Sequence, residues 1–294
     1  MLTRRTIEVD IFSRILLIAF EALVELNSLT CATKTIRQSS IVAERQLRDL
    51  FSKLLEKTVL RNGVVLIRGF KYSLPDVQVD SLFVLFPQYE KRIWQHFKPT
   101  KGQVFIDVGA HVGKYAFQVA RMIGDDGLVV AVEPHPDNYV ALLRGIELNG
   151  LRNVVPLRLA AWEENCVLNL FLGKASIFHS VKVDAGSGCV EVEARTLDRI
   201  VHELNLSHVD WIKLDVEDAE VEVLRGLKSV VARYHPKLIL EVQWRNMEAV
   251  LQLVNEYGYA IIPVVGEQNP QARVGYYYCK PSASESGLPS CVSD

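Results

Sequence analysis

From Gln103 to Lys280 the chain alternates short apolar runs with amphipathic segments, a pattern that few folds accept. VFIDV (104–108), LVVAV (128–132) and KLILEV (237–242) are apolar almost throughout. A strand with one face in water would alternate, so these runs read as strands of a parallel sheet covered on both faces. Strands are expected at 103–108, 128–133, 153–160, 209–216, 237–243, 259–265 and 273–280. Helices are expected at 113–123, 136–148, 197–205, 218–233 and 246–257. The fold class is therefore α/β, a doubly wound, mostly parallel sheet. Segment 166–195 departs from the alternation: 167–172 and 190–194 read as extra strands around a Gly/Ser-rich loop, 173–188.

The chain divides into an N-terminal helical extension (1–62), a β-rich lead-in (63–101), the main domain (102–280) and a flexible Ser/Pro-rich tail (281–294). Ile11, Phe12, Ile15, Ile18, Ala22, Leu23 and Leu26 recur at helical spacing, and 41–57 forms a second amphipathic helix. The first helix has three open roles: packing on the domain, pairing with a second copy in a homodimer, or lying on a membrane surface. Within the lead-in, 63–70 and 77–86 read as strands and 89–97 as a short helix.

Charge and cysteine usage narrow the classes of function. The net charge is -2, so the total offers nothing toward a nucleic-acid partner. Residues 1–101 carry 16 Lys+Arg against 10 Asp+Glu, and 102–294 carry 17 against 25, which suggests two regions with different jobs. The five cysteines include no CxxC pair, which argues against a zinc ribbon or a disulfide scaffold. Arg14, Glu21 and Glu25 interrupt the N-terminal apolar stretch, far short of the roughly 20 residues of a membrane span. The expectation is a cytoplasmic protein with no transmembrane segment.

The densest signal is VFIDVGAHVGKY, 104–115: an apolar strand ending in Asp107, a turn Gly109-Ala110-His111-Val112-Gly113, then a helix. Glycines allow sharp turns and close approach, and the helix start offers free N–H groups. A dinucleotide fingerprint reads G-x-G-x-x-G, but His111 leaves only Gly109 and Gly113. Asp107 would repel a pyrophosphate. It suits S-adenosylmethionine, whose ammonium and sulfonium are cationic. Glu133, at the end of the second strand, can accept both ribose hydroxyls, a device shared with NAD sites. Pro134 and Pro136 stiffen the following turn, while Asn138 and Asn149 read as caps or turn residues. Ala160 and Ala161 end the third strand and offer backbone groups and a flat surface to an adenine. Trp162 either stacks on a base or belongs to the core.

VDWIKLDVED, 209–218, is the second signal. Alternation puts Trp211, Lys213 and Asp215 on one sheet face, with Asp215 at the carboxyl end where open α/β sheets bind ligands. Lys213 and Asp215 form an internal ion pair or act on a substrate. Asp218 reads as a helix cap. Glu241, at the end of the next strand, faces the same crevice. A hydroxyl needs a base to attack a methyl group, and Asp215, Glu217 and Glu241 are the candidates, or ligands for an optional divalent metal. Lys213 would lower an acceptor's pKa. No metal site is assigned. The [DN]-P-P-[YF], P-loop and GxSxG motifs are absent.

Taken in order, VFIDVGAHVGKY, AVEPHP, the NG–NVV turn at 149–155, TLD at 196–198, IKLDVED at 212–218 and PKLILEV resemble the FkbM family of S-adenosylmethionine-dependent methyltransferases over roughly residues 63–265. The resemblance implies a Rossmann-like class I methyltransferase fold, with a seven-stranded sheet whose last strand is antiparallel. It also implies O-methylation of sugars, polyketides or related small molecules, with a small-molecule, glycan or lipid-linked sugar acceptor. The family typically reads D-V-E-G where this chain has Asp218. Two alternatives stand beside this reading, an RNA ribose 2'-O-methyltransferase and an NAD-type oxidoreductase.

Overall fold

The computed structural model describes residues 63–75, 84–85, 90–173, 179–184, 186–264 and 274–282. The expected N-terminal helices, the homodimer contact through them and the C-terminal tail beyond Ser282 lie outside these residues. Twelve strands are described: β1 (Val64–Ile67), β2 (Phe70–Ser73), β3 (Val104–Val108), β4 (Leu128–Val132), β5 (Val154–Leu157), β6 (Ala160–Ala161), β7 (Cys166–Phe171), β8 (Cys189–Arg195), β9 (Trp211–Leu214), β10 (Lys237–Gln243), β11 (Tyr259–Pro263) and β12 (Val274–Pro281). The α-helices are α1 (Ile93–His96), α2 (Lys114–Ile123), α3 (Pro136–Asn149), α4 (Leu197–Glu203), α5 (Glu220–Arg225), α6 (Lys228–Tyr234) and α7 (Met247–Glu256).

The main sheet has seven strands in the order β11-β12-β10-β9-β3-β4-β5. The pairs β10/β9, β9/β3, β3/β4 and β4/β5 are parallel, and β12 runs antiparallel between β10 and β11. This is the Rossmann-like class I methyltransferase topology expected from the sequence. The chain leaves β3 toward β4 and β5 on one side and returns to β9 on the other, which opens a crevice at the carboxyl ends of β3 and β9.

Period-2 alternation sorts the strand residues between two cores. Phe105, Val129, Ala131, Trp211 and Ile239 pack under α1, α2, α3 and the β1–β2 hairpin. Ile106, Val108, Val130, Val132, Ile212, Leu214 and Leu240 pack under α4 to α7. Asp107, Glu133, Lys213 and Glu241 share the parity of the first set, so the polar ends of four strands emerge on one face.

Several motifs that carry the resemblance turn out to be scaffold. The Thr196 side chain accepts from Arg199 N at 3.0 Å and caps α4, while Asp198 accepts from Ser229 N at 3.0 Å and Val230 N at 2.8 Å at the start of α6. Asn149 braces the lead-in, exchanging hydrogen bonds with the Lys71 backbone at 2.9 and 2.7 Å. Asn153 Nδ2 donates to the carbonyls of Ala120 and Gly124, both at 2.8 Å, closing the last turn of α2.

Three expectations need correction. The strand expected over 63–70 is instead a hairpin, because Arg68-Gly69 forms a two-residue turn with both φ angles positive (48° and 78°). Its second strand is β2 at 70–73, and of the separate strand expected over 77–86 only 84 and 85 are described, in a turn, the rest lying outside the described residues. The expected 153–160 strand breaks after Leu157, and Ala160–Ala161 joins β8 and β7 in a separate three-stranded sheet. The helix expected over 218–233 is two helices. Gly226 lies between them, and a Cβ there would lie 2.1 Å from the Trp162 carbonyl oxygen, so the close pass of the chain after β6 requires glycine.

Candidate active site

The carboxyl end of β3 meets two turns. Gly109 N and Ala110 N both donate to Val132 O at 3.0 Å, which ties the turn to β4. Gly109 has φ +83°, and a Cβ there would sit 1.8 Å from the Asp215 carbonyl oxygen. The glycine is thus demanded by the close approach of the β9 end, where the sequence suggested clearance for a ligand. Gly109→Ala is expected to cost about 3 kcal/mol or more through this clash and the left-handed backbone. Chemical denaturation measures it, and an unchanged midpoint would refute the stated reason.

Asp107 is 1% exposed, and neither carboxyl oxygen has a hydrogen-bond partner within ordinary distance. Burial is the main reason its pKa rises to about 6, with Lys213 and the Ala116 backbone N–H pulling the other way. The uncapped start of α2 thus faces an internal carboxylate and not an external phosphate. An orphaned buried carboxylate fits a cationic group such as the ammonium of S-adenosylmethionine and does not fit a pyrophosphate.

Glu133 joins the two turns. Its Oε2 accepts from His111 N at 2.8 Å, and Oε1 accepts from His135 N at 3.0 Å and Asn138 Nδ2 at 3.3 Å. Burial pushes its pKa up to about 7. Asn138, expected as a turn residue, is buried and orients Glu133, whereas the cap of α3 is His135 Nδ1, accepting from Asn138 N. Pro134 lies between the two. His111 stands at φ +49° where the dinucleotide fingerprint has glycine, its N–H committed to Glu133. Gly113 lies at φ +97° before α2. The ring of His179, from the loop after β7, stacks on His135 at 4.0 Å. Burial drives His111 down to about 3 and His179 down to about 4, so both rings are neutral at physiological pH. Ala160 and Ala161 pair with Ala194 and Arg195 of β8. One edge of their backbone serves that ladder. Trp162 packs between two apolar clusters and so takes the core role.

At the end of β9 the sequence-predicted residues converge. Lys213 Nζ donates to Asp215 Oδ2 at 2.7 Å and lies 4.6 Å from the centre of the Tyr115 ring. Lys213 is 2% exposed. Burial works against its charge, but the carboxylates of Asp215, Glu90, Asp107 and Glu241 more than offset this and raise its pKa. Glu90 was not legible in the sequence, being one acid in a lead-in without periodicity. Its Oε2 accepts from Lys114 Nζ at 2.6 Å and from Tyr115 OH at 3.0 Å. Burial pushes Glu90 up, yet Lys114 and Lys213 hold its carboxyl below the ordinary value.

Glu90, Asp215 and Glu241 bring carboxylate oxygens within 4.8 Å of one another, a spacing that suits a cation. The Lys213 ammonium, 2.7 Å from Asp215 Oδ2, adds positive charge to the same cluster. Burial, then Asp215 and Glu217, raise the Glu241 pKa well above the carboxylate range. Burial, then Asp215, push Glu217 up to about 8. Glu217 Oε2 accepts from Gln243 Nε2 at 3.1 Å, and its carbonyl accepts from Ser180 Oγ at 2.6 Å. Neither Ser180 nor Gln243 carries a sequence signal.

Asp218 does not cap a helix, since α5 has Ala219 at its N-cap and no side-chain cap bond. Asp218 lies at φ +82°, the conformation that explains the glycine of the D-V-E-G pattern. Here the turn is held by Arg245 Nη2 on Asp218 Oδ2 at 2.6 Å and by Asn246 Nδ2 on its carbonyl at 2.9 Å.

Comparison with known proteins matches residues 107–261, just over half of the chain, to the model of the methyltransferase FkbM domain. The chain belongs to the FkbM methyltransferase family. A curated relative, Methyltransferase 1 of Beauveria bassiana (strain ARSEF 2860), is 24% identical over 143 residues. That match spans 42% of this chain and 57% of the relative's length. Among solved structures, methyltransferase FkbM from Methylobacillus flagellatus KT is 15% identical, with a TM-score of 0.44, over 79% of this chain and 60% of its own. Aeropyrum pernix fibrillarin, solved with S-adenosyl-L-methionine natively bound, is 14% identical with a TM-score of 0.44, over 76% of this chain and 83% of its own. Family membership sets aside the oxidoreductase alternative. No helix among the described residues is long and apolar enough to cross a membrane.

Proposed function

We propose that this FkbM-family protein is an S-adenosylmethionine-dependent O-methyltransferase acting on a hydroxyl of a small molecule or a glycan. The observation that carries the reading is the cluster at the β9 and β10 ends, where buried Lys213 lies 2.7 Å from Asp215, whose carboxylate gathers with those of Glu90 and Glu241. When bound, S-adenosylmethionine supplies a methyl group on a sulfonium. Asp107 neutralises the ammonium, and Glu133 offers its remaining lone pairs to the ribose hydroxyls. Lys213 favours an acceptor oxygen as it loses its proton, because a buried ammonium stabilises developing negative charge. Glu217 or Glu241 takes that proton. A carboxylate with a pKa near 8 is a stronger base than an ordinary one, and it is available in a growing fraction as pH rises toward 8.

Glu217→Gln is expected to lower label transfer from methyl-labelled donor to a panel of hydroxylated acceptors about 10²–10⁴-fold. Affinity for S-adenosylhomocysteine should stay within about twofold. Transfer to an amine or carbon in place of oxygen, or no binding of S-adenosylhomocysteine by the native chain, would refute the reading. The gathering of Lys213, Asp215 and Glu241 also favours a second reading, ribose methylation of RNA. RNA affinity falling steeply with salt would select it.

A further inference from the structure

Beside the carboxylate cluster lies a cavity that the reaction as described does not use. It lies between the β1–β2 hairpin, α1 and α2, with a volume of about 410 Å³. That is within the roughly 300–1,000 Å³ range of small-molecule sites. Its walls are apolar and aromatic: Ile67, Phe70, Tyr72, Leu85, Trp94 and Met122. Met122 is 40% exposed and so leaves part of this apolar wall open to a ligand. The charged lining residues among those described are cations, Arg68, Lys91 and Lys114. Lys114 is paired with Glu90, whereas Arg68 and Lys91 have no carboxylate partner among the described residues. Arg121 adds a further cation beside the turn, its guanidinium 3.7 Å from the centre of the Phe70 ring.

Arg68 itself is an anomaly. It occupies the first turn position of the hairpin at φ +48°, where asparagine, aspartate or glycine is the ordinary occupant. An arginine held in left-handed backbone beside a cavity is retained at a conformational cost, and its guanidinium is what the site gains. Among the described lining residues the amide Gln118 already donates to the Lys114 carbonyl at 3.0 Å. The donors that remain, Arg68 and Lys91, are charged and favour a negative group over neutral hydroxyls. With the aromatic walls they suit an apolar body ending in a negative group.

We propose that this cavity binds an anionic amphiphile, its apolar part against Phe70, Tyr72, Trp94 and Met122 and its negative head between Arg68 and Lys91. The cavity and the carboxylate cluster share a wall. Trp94 stacks on Tyr115 at 4.9 Å, and Tyr115 and Lys114 both hold Glu90. That wall sets the bound molecule beside the carboxylates, and its role as the acceptor, or as the part of it that does not react, rests on the methyltransferase reading above.

The test uses the full chain and dodecyl phosphate as probe, kept below its micelle-forming concentration. Binding is followed by calorimetry and tryptophan fluorescence, with and without S-adenosylhomocysteine. Dodecyl phosphate should bind one to one, at least tenfold more tightly than dodecyl maltoside or inorganic phosphate. The double variant Arg68→Gly, Lys91→Gln should weaken it at least tenfold while leaving S-adenosylhomocysteine affinity unchanged. Glycine relaxes the left-handed turn, so lost binding cannot be ascribed to a lost hairpin. Absent binding, equal binding of the maltoside, or indifference to the double variant overturns the proposal. Failure of S-adenosylhomocysteine to bind strikes the methyltransferase reading instead, and the probe titration without it still decides the cavity.

Discussion

Asp107→Asn is expected to make the ligand-free protein more stable and to weaken S-adenosylhomocysteine binding about 100-fold. Both effects come from one buried, unpartnered carboxylate. Burial raises its pKa from 3.8 to about 6. A carboxyl whose folded pKa is raised binds more protons folded than unfolded, so stability falls as pH climbs between the two values. The penalty is absent below about 3.8 and complete above about 6, and the shift corresponds to roughly 3 kcal/mol. Removing the charge should recover on the order of 1–3 kcal/mol at neutral pH, a gain that shrinks as pH is lowered toward 4. The same change deprives a bound ammonium of its counter-charge, and truncating one partner of a buried charge pair costs about 2–5 kcal/mol. Paired denaturant titrations and calorimetry with S-adenosylhomocysteine measure the two arms. A variant no more stable than the native protein, or one that binds the ligand equally well, removes the basis for Asp107 as donor-binding residue.

Lys213→Met is expected to destabilise the protein by about 3–5 kcal/mol, because it strands several carboxylates in a buried site. The methionine chain fills most of the lysine volume, so a cavity contributes little to the loss. Its contribution has a defined pH range. The folded pKa of Lys213 is raised above 10.5, so the stabilisation is complete below 10.5 and is lost only in stronger alkali. Toward acid the loss in the variant should shrink as Glu241 and Asp107 take up protons. A cycle with Asp215→Asn should show a coupling of about 1–3 kcal/mol, since the pair meets at 2.7 Å. Additive effects within about 0.5 kcal/mol would mean that Lys213 is held by packing and not by its carboxylates.

The sequence alone locates the residues proposed for the donor half. Asp107, Gly109 and Gly113 lie where β3 ends and a glycine turn begins, so chain connectivity keeps them close, and Glu133 follows the end of the neighbouring strand β4. The reasons were less legible. Gly109 is required by the Asp215 carbonyl, which is 106 positions away in the chain. Asp218 sits in a left-handed turn braced by Arg245 and Asn246 and not at a helix cap.

The linear chain determined the alternation of β and α elements, the two covered sheet faces and the parity that brings Asp107, Lys213 and Glu241 onto one of them. These follow from local periodicity, which each segment carries within itself. Only the tertiary structure decided that Glu90, Lys114 and Tyr115 complete the Lys213 cluster, that Ala160 and Ala161 belong to a second sheet, and that the lead-in hairpin closes a cationic cavity against α2. Those contacts join segments far apart in the chain. Their partners are chosen by packing and by the need to pair buried charge, and no single stretch of residues records that choice.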